Sequence, residues 1–203
     1  ISRVLERVYE ESGIDFSIKS PVFKYYSDHH YTEGSIYYRG PRNAPSPSRI
    51  KLDISGNEKV IRPSVLRDLF HDYSDDEVPK AEKVRCYDFD EIFAEKIRAM
   101  AQRCRPRDLY DIIFLFRTRT DLQKESQHIK AVLEKKCANK NILVPTFKSI
   151  EQSPNKDELV SEWKNMLAHQ LPVSPSFEQN WDELPRLFPW LGGSFTPKPL
   201  GAI

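Results

Sequence analysis

The sequence contains no long hydrophobic run, few cysteines and almost no net charge. No apolar stretch approaches the roughly 18 residues that a membrane-spanning helix needs, so we predict no membrane segment. Cys86, Cys104 and Cys137 are scattered and odd in number. That pattern argues against a disulfide framework or a zinc site and is typical of a protein in the reducing cytoplasm. The 31 basic and 30 acidic residues leave a formal charge of +1, so any basic surface for nucleic acid must be local.

Several common active-site motifs are also missing. The chain has no G-x-G-x-x-G, no P-loop, no G-x-S-x-G elbow and no H-E-x-x-H. What remains is a chain of 203 residues with 39% hydrophobic and 30% charged content, which is typical of a globular domain. Its length allows one sizeable core, or one core with a helical appendage.

The first half of the chain has mainly the patterns of strands. Residues 1–12 have helical periodicity, as if the sequence enters in or near a helix, and Gly13 is placed to end it. Alternation or aromatic and β-branched content then predicts strands. They fall in "IDFSIKS" (14–20), "VFKYYS", "SIYYRG", "RIKLDIS" (49–55), "EKVIRPS" and "KVRCYDF", around polar loops at 41–48 and 71–80.

Helical periodicity takes over after about residue 90. Helices are predicted over 90–104, 106–118 and 121–137, and, after the connector "NKNILVPTFKSIEQSPN", in "KDELVSEWKNMLAHQL" and "SFEQNWDELPRLFPWL". The predicted fold class is α+β, with a mostly antiparallel sheet followed by a helical bundle. We divide the chain into a sheet domain (1–89), a helical bundle domain (90–191) and a flexible tail (192–203) rich in Gly and Pro.

Asp53 is the first candidate functional residue. In "RIKLDIS", the alternation places Lys51 and Asp53 on the face opposite Ile50, Leu52 and Ile54. A carboxylate on a rigid strand can hold magnesium or accept a proton in phosphoryl transfer. The alternative is the ordinary solvent-facing polarity that most such strands show.

Lys96 is the second candidate. It lies one helical step from the core stripe of its helix, beside the small Ala99, which leaves space for a substrate or a partner chain. A lysine there can simply extend its charged end to water; its functional alternative is a point charge aimed at a triphosphate. The core stripes of the two successive helices are predicted at Phe93, Ile97, Met100 and Cys104, and at Leu109, Ile112, Ile113 and Phe116.

Asp108 and Asp111 are three residues apart and therefore lie on one face of the 106–118 helix. Asp108 is in the first turn, where a carboxylate interacts favourably with the helix dipole. Asp111 is predicted to be partly buried, so it needs a stronger partner than an i, i+4 pair with Arg107. Lys96 is that candidate. The alternative is a buried ion pair that only ties two helices together.

Two further groups have the spacing of metal ligands but a simpler explanation. "DFD" (88–90) immediately precedes a helix, where Asp88 or Asp90 is expected to act as N-cap. His29 and His30 have no cysteine or acidic partner at metal-ligand spacing, and we interpret them as surface residues.

Together, "IKLDIS", "EIFAEKIRAMAQRCRPRDLYDI" and the final helices ending in "FEQNWDELPRLFPWL" resemble the AbiEii family of nucleotidyltransferase toxins, distant relatives of DNA polymerase β-like nucleotidyltransferases. The resemblance extends from about residue 13 to 191, and the pattern AEKxxAxxxRxxxRDLYD is its specific part. It implies a mixed sheet that carries metal carboxylates and a C-terminal helical bundle that closes a cleft. It also implies that magnesium and a nucleoside triphosphate are used to transfer a nucleotide to RNA, in studied cases the acceptor end of tRNA, and that an antitoxin is encoded nearby.

The family motif assigns expected roles to individual residues. Lys96 matches the motif lysine proposed to contact the triphosphate, and Asp111 matches the motif aspartate followed by an apolar residue four positions on. Arg107 and Asp108 fall in the same motif as candidates for substrate binding. By the same resemblance, Asp53 matches the strand aspartate of the metal site.

Lys51, on the same strand face as Asp53, is a further candidate for substrate binding.

The family's Gly-Ser turn and Asp-x-Asp metal pair are expected upstream of residue 1, because Gly34-Ser35 in "EGSIYYRG" is not followed by Asp-x-Asp at suitable spacing. Without those carboxylates the chain is expected to bind nucleotide poorly and catalyse little. The alternative hypothesis is a catalytically degenerate relative that holds RNA or a protein partner through Arg103, Arg105 and Arg107.

Overall fold

The computed structural model describes residues 1–40, 45–68, 83–118, 122–173 and 175–194. Backbone contacts divide the chain into two compact units, Ile1–Glu58 and Lys59–Ile203. The predicted α+β class is confirmed, because helices and small antiparallel sheets are both present. No helix in these ranges is long and apolar enough to cross a membrane. The predicted loop at 71–80, part of the loop at 41–48 and most of the tail lie outside the described residues, and the division into domains at 89 and 191 stays a prediction.

The described part of the first unit contains an α-helix, a short 3-10 helix (Ser27–His29) and a three-stranded antiparallel sheet. Helix α1 ends as predicted at Gly13, which has φ 69° and donates its N–H to the carbonyl of Tyr9. Only glycine adopts this left-handed backbone without a steric penalty. The strands predicted in "VFKYYS", "SIYYRG" and "RIKLDIS" are confirmed. The elements are α1 (Ser2–Ser12), β1 (Val22–Tyr26), β2 (Tyr31–Tyr38) and β3 (Ser48–Ser55), with strand order β1-β2-β3.

The strand predicted over 14–20 is wrong. Only Asp15 makes a strand-like contact there, an isolated bridge to Arg39. The Asp15 carboxylate instead accepts hydrogen bonds from the backbone N–H and the hydroxyl of Ser17, at 2.8 and 2.7 Å. Such local side-chain bonds offer the backbone an alternative to a strand ladder, so the chain turns where the apolar alternation predicted extension.

The register of β2 and β3 decides which side chains share a face. Asp53 lies opposite Glu33, and Lys51 opposite Ser35, so Lys51 and Asp53 share the polar face that the alternation predicted. Gly34 lies in the middle of β2 opposite Leu52, and a Cβ there would come within 2.8 Å of the Phe23 ring. Gly34-Ser35 is therefore part of a strand, and the glycine is explained by close packing under an aromatic ring.

The second unit begins with a segment that was predicted as a strand and is not one. In "EKVIRPS", the backbone N–H groups of Ile61 and Arg62 donate to the Glu91 carboxylate at 3.0–3.2 Å instead of to a neighbouring strand. Strand β4 (Val65–Asp68) starts only after this segment and pairs antiparallel with β5 (Lys83–Cys86). The strand predicted in "KVRCYDF" is confirmed by β5.

The helices of the second unit follow the predicted order with two differences. The predicted connector contains a short helix, α5, which begins with a reciprocal capping box between Thr146 and Ser149. The last predicted helix is split in two, and Pro185 lies in the first turn of the second piece. The helices are α2 (Phe89–Arg103), α3 (Pro106–Thr118), α4 (Leu122–Asn139), α5 (Phe147–Glu151), α6 (Lys156–Leu167), α7 (Phe177–Trp181) and α8 (Leu184–Leu191).

The core of the second unit lies between these helices, and both predicted stripes are buried in it. Trp190 of α8 packs against Phe93 of α2 and Phe116 of α3, with ring centroids 5.8 and 5.4 Å apart. Burying one large apolar side chain contributes about 1.5–3 kcal/mol. The buried apolar face of each helix therefore fixes how the helix is rotated about its axis. This rotation determines where the side chains at the edge of the core are placed.

Candidate functional site

A short turn between α2 and α3 brings the central candidate residues together. Asp88 caps α2, as predicted, by accepting a hydrogen bond from the N–H of Asp90 at 3.0 Å. The helix ends at Cys104, whose backbone is left-handed with φ 49°. Pro106 then begins α3, where its missing N–H is not needed. The last turn of α2 is thereby placed beside the first turn of α3.

Lys96 lies between the two aspartates of α3. Its Nζ is 2.5 Å from Oδ2 of Asp111 and 3.8 Å from Oδ1 of Asp108. The Lys96 and Asp111 side chains are 28% and 35% exposed, whereas the Asp108 side chain is fully buried. The pairing of Lys96 with Asp111 that their spacing predicted is present. A half-buried ammonium held this way is a fixed positive charge that an anion from solvent can still approach.

Asp108 has a stronger partner than the helix dipole. Its Oδ2 accepts a hydrogen bond from Nε of Arg103 at 2.7 Å, and its Oδ1 accepts one from Nη2 at 2.8 Å. This bond to Asp108 is the main reason that the pKa of Arg103 lies above its ordinary value. Sequence reasoning missed the pair. The sequence did place Arg103 and Lys96 in one row along α2, and this row could have indicated that both approach the same carboxylate.

Arg107 does not pair with Asp111. Both side chains are described, and no ion pair joins them. With the Gln170 amide oriented so that its oxygen faces Arg107, the Nε of Arg107 lies 3.1 Å from that oxygen. Arg107 therefore lies on the exposed side of α3, directed towards the residues after α6.

In the first unit, Asp53 is held by two neighbours on the polar face of the sheet. The hydroxyl of Tyr31 donates a short hydrogen bond to Oδ1 of Asp53. The Nζ of Lys51 is 3.6 Å from the same oxygen and 3.4 Å from Oε1 of Glu33. The bond to Asp53 raises the pKa of Tyr31 to about 12. The two carboxylates, chiefly Glu33, raise the pKa of Lys51.

The donor atoms on this face suit a hard cation. Magnesium is usually held by one or two carboxylates together with substrate phosphates, and Asp53 and Glu33 are two carboxylates on neighbouring strands. The residues present therefore fit magnesium as a partner of bound substrate. No group of three or more His, Cys, Asp or Glu side chains close enough for a metal ion occurs in the described ranges. His30 is exposed, and its Nδ1 lies 3.1 Å from the hydroxyl of Tyr25.

A comparison with protein families assigns these residues to a known group. The model of the family described as nucleotidyl transferase AbiEii toxin, type IV TA system, matches residues 1–186 of the chain. The chain belongs to this family. The resemblance is confirmed, and the matched residues include Asp53, Lys96, Asp108 and Asp111. The family is one of nucleotidyl transferases that act as toxins in toxin–antitoxin systems. No curated protein and no solved structure was found to match.

Proposed function

We propose that this AbiEii family member transfers a nucleotide from a nucleoside triphosphate to the acceptor end of tRNA, with release of pyrophosphate, and that magnesium is its metal. The observation that supports the proposal best is the Lys96 ammonium, held by Asp108 and Asp111 within a chain that matches a nucleotidyl transferase family. We expect an antitoxin as partner, since the family belongs to toxin–antitoxin systems.

Each candidate residue has a role that its surroundings support. Lys96 binds the phosphates of the triphosphate as a point charge, and the 35% exposed Asp111 is the partner that gives way when phosphate oxygens reach the ammonium. Asp53, with Glu33 beside it, would hold the magnesium ion, which supplies neutralisation of charge on the reacting phosphates. Lys51, paired with both carboxylates, is released to bind substrate when they turn to other ligands.

Nucleotide transfer to tRNA in the presence of magnesium tests the proposal. The full-length protein is incubated with radiolabelled nucleoside triphosphates and tRNA, and label in RNA is measured. We expect Lys96→Ala to reduce labelling about 100-fold or more, because it removes the positive charge that binds the phosphates. Asp111→Ala should also reduce labelling, but less, because the Lys96 ammonium loses the partner that positions it. Asp108 keeps its two hydrogen bonds to Arg103 in both variants, so the fold is expected to persist.

Lys164→Ala is the matched control for Lys96→Ala. Lys164 is an exposed lysine in the last turn of α6, and its loss is expected to leave labelling unchanged. An absence of label with the unsubstituted full-length protein, or equal labelling by it and its Lys96→Ala variant, would overturn the proposal.

The second candidate, a degenerate RNA-binding relative, is less well supported by the arginines it needs. The Nη1 of Arg105 lies 3.8 Å from Oε1 of Glu158, and Arg107 faces the Gln170 amide. RNA binding that weakens steeply with salt, without transfer of label, would favour this candidate over the enzyme.

A further inference from the structure

Arg103 and Lys96 share one buried carboxylate oxygen. Oδ1 of Asp108 accepts a hydrogen bond from Nη2 of Arg103 at 2.8 Å and lies 3.8 Å from Nζ of Lys96. Two cations from one row of α2 are therefore gathered at a single oxygen. Asp111 makes an ion pair with Lys96, and Asp108 is the carboxylate that accepts hydrogen bonds from Arg103.

The two ends of Arg103 are in different surroundings. Nε and Nη2 donate to a fully buried carboxylate, yet the Arg103 side chain as a whole is 58% exposed. A guanidinium carries five N–H donors in a rigid plane, and Nη1 makes no hydrogen bond within the part of the chain that the structure describes. Asp108 therefore fixes the plane of the guanidinium and leaves its outer edge directed to solvent.

A fixed guanidinium edge beside an ammonium matches the chemistry of a polyphosphate. Arginine binds phosphate oxygens through two parallel N–H bonds, whereas lysine acts as a point charge. A pre-oriented arginine also loses less side-chain entropy when it binds. A buried ion pair is in itself weak evidence for stability, because apolar side chains often stabilise a protein equally well. Stability alone therefore does not account for the pair.

We propose that Arg103 is a second phosphate-binding residue, oriented by Asp108, and that Arg103 and Lys96 bind the same triphosphate. This inference rests on the proposed function and deepens it by naming a second substrate contact. Asp108 is then a positioning residue, since its side chain is buried and acts through Arg103 and Lys96.

Binding of inorganic tripolyphosphate to the full chain, measured calorimetrically at several salt concentrations without added metal, tests the inference. We expect Arg103→Gln to weaken binding about 10- to 100-fold, because one charge-assisted bidentate contact is lost. The slope of log K against log salt is expected to fall by about one, as for the loss of one phosphate contact. Arg103→Lys should lie between the two proteins in affinity and keep the slope.

Asp108→Asn separates positioning from direct contact. The asparagine keeps the size of the side chain and leaves both cations in place, so the salt slope is expected to stay unchanged. The affinity is expected to fall several-fold, because the guanidinium is no longer fixed by a charged acceptor. A carboxylate that served only to hold the two helices together would move neither quantity in a correctly folded variant.

Arg117→Gln is the matched control. Arg117 of α3 donates through Nε and Nη2 to the Glu183 carboxylate, both at 2.9 Å, with the same fork geometry as Arg103. Its loss is expected to leave tripolyphosphate affinity unchanged. If Arg103→Gln alone unfolds, the double variant Arg103→Gln/Asp108→Asn takes its place in the comparison. It removes the buried charge of Asp108 together with its partner, so no unpaired charge is left in the core.

The outcomes separate this inference from the proposed function. Equal affinities of the unsubstituted chain and Arg103→Gln, with weaker binding by Lys96→Ala, overturn the role of Arg103 and leave the proposed function standing. Equal losses in Arg103→Gln and Arg117→Gln also overturn it, because they show a general charge effect. An absence of both triphosphate binding and label transfer overturns the proposed function together with the inference.

Discussion

The carboxylate of Asp53 is ordered before any ligand arrives. Tyr31 of β2 donates a hydrogen bond to it, and Lys51 approaches it from β3, the strand that carries Asp53. All three side chains are exposed or half-exposed, so the solvent screens their charges and the individual bonds add little to stability. Their effect is on position: the carboxylate already points along the polar face where a cation would bind.

The pKa of the Tyr31 hydroxyl reports on its hydrogen bond to Asp53. Its pKa is about 12, above the ordinary value of about 10, so the bond stabilises the fold fully below about pH 10 and is lost as the pH rises through the folded value. In a titration of tyrosinate absorbance, Asp53→Asn is expected to lower the pKa of one tyrosine towards its ordinary value.

Glu33→Gln is the control for that titration. Glu33 lies on the same face but accepts no hydrogen bond from Tyr31, so most of the raised pKa should remain. Superimposable titration curves for the chain and Asp53→Asn would contradict the bond.

The sequence could predict some of these pairs and not others. Lys96 and Asp111 were predictable, because helical periodicity places them at the edges of two buried stripes. The Arg103–Asp108 pair was not, because the left-handed backbone of Cys104 breaks the period between the helices. Glu33 could not be matched with Asp53, because their register depends on how the chain returns from β2 to β3.

Among the elements, helix α1 ends at a residue, Gly13, whose left-handed backbone conformation terminates the helix. Gly13 has φ 69°, and no atom lies within 4 Å of the position of a Cβ there. Gly13→Ala is therefore expected to destabilise through the backbone alone, by about 1–2 kcal/mol. Gly13→Asn should cost less, since asparagine tolerates this conformation better. Chemical denaturation monitored by helical circular dichroism measures both.

Gly40→Ala is the comparison for Gly13→Ala. A Cβ at Gly40 would make only an ordinary contact, at 3.8 Å from the Tyr38 ring, and its φ is not in the left-handed range. We expect its free energy of unfolding to change by less than about 0.5 kcal/mol. A larger effect at Gly40 than at Gly13 would contradict the assignment of Gly13 as the helix end.

The elements that sequence patterns predicted correctly are those with long apolar stripes. Helices α2, α3 and α4 follow their periodicity because packing and pattern agree. The two wrong strands, 14–20 and 58–64, have in common that a carboxylate takes their backbone N–H groups: Asp15 for the first and Glu91 for the second. A side chain 30 positions away, as Glu91 is from Ile61, leaves no trace in a local pattern.

On the scale of the whole molecule, Glu91 and Lys136 connect the start of the second unit to its core. The Glu91 carboxylate accepts from the N–H groups of Ile61 and Arg62, and it lies 2.7 Å from Nζ of Lys136. Lys136 in turn donates to the carbonyl of Lys59 at 3.4 Å. Both charged side chains are buried, so this irregular segment is fixed to α2 and α4 without any strand or helix of its own.

Removing one of these buried charges should be costly. We expect Lys136→Met to lower the free energy of unfolding by about 3–5 kcal/mol, because it leaves the buried Glu91 carboxylate without a cation. Glu91→Gln should cost less, because Nζ of Lys136 still lies 3.1 Å from Oε2 of Glu95. The double variant should lose less than the sum of the two, because the charges interact. Equilibrium unfolding in urea measures all three.

The exposed pair Arg7–Glu11 provides the control for this cycle. Its atoms are also 2.7 Å apart, but both side chains are mostly in water, so Arg7→Gln should change stability much less than Lys136→Met. Additive losses for Glu91 and Lys136 would show that they do not act as a pair.

The two units differ in how much they bury. In the described part of Ile1–Glu58, only Gly34 and Ile36 are buried, whereas the apolar cluster of the second unit spans α2 to α8. We therefore expect each unit to unfold with its own midpoint and enthalpy, in which case a single melting temperature does not describe the chain. A ligand that binds at Asp53 stabilises the first unit by mass action. That unit buries fewer residues, so we expect it to have the smaller free energy of unfolding. Substrate concentration would then set how much of the chain is folded, as well as how fast it reacts.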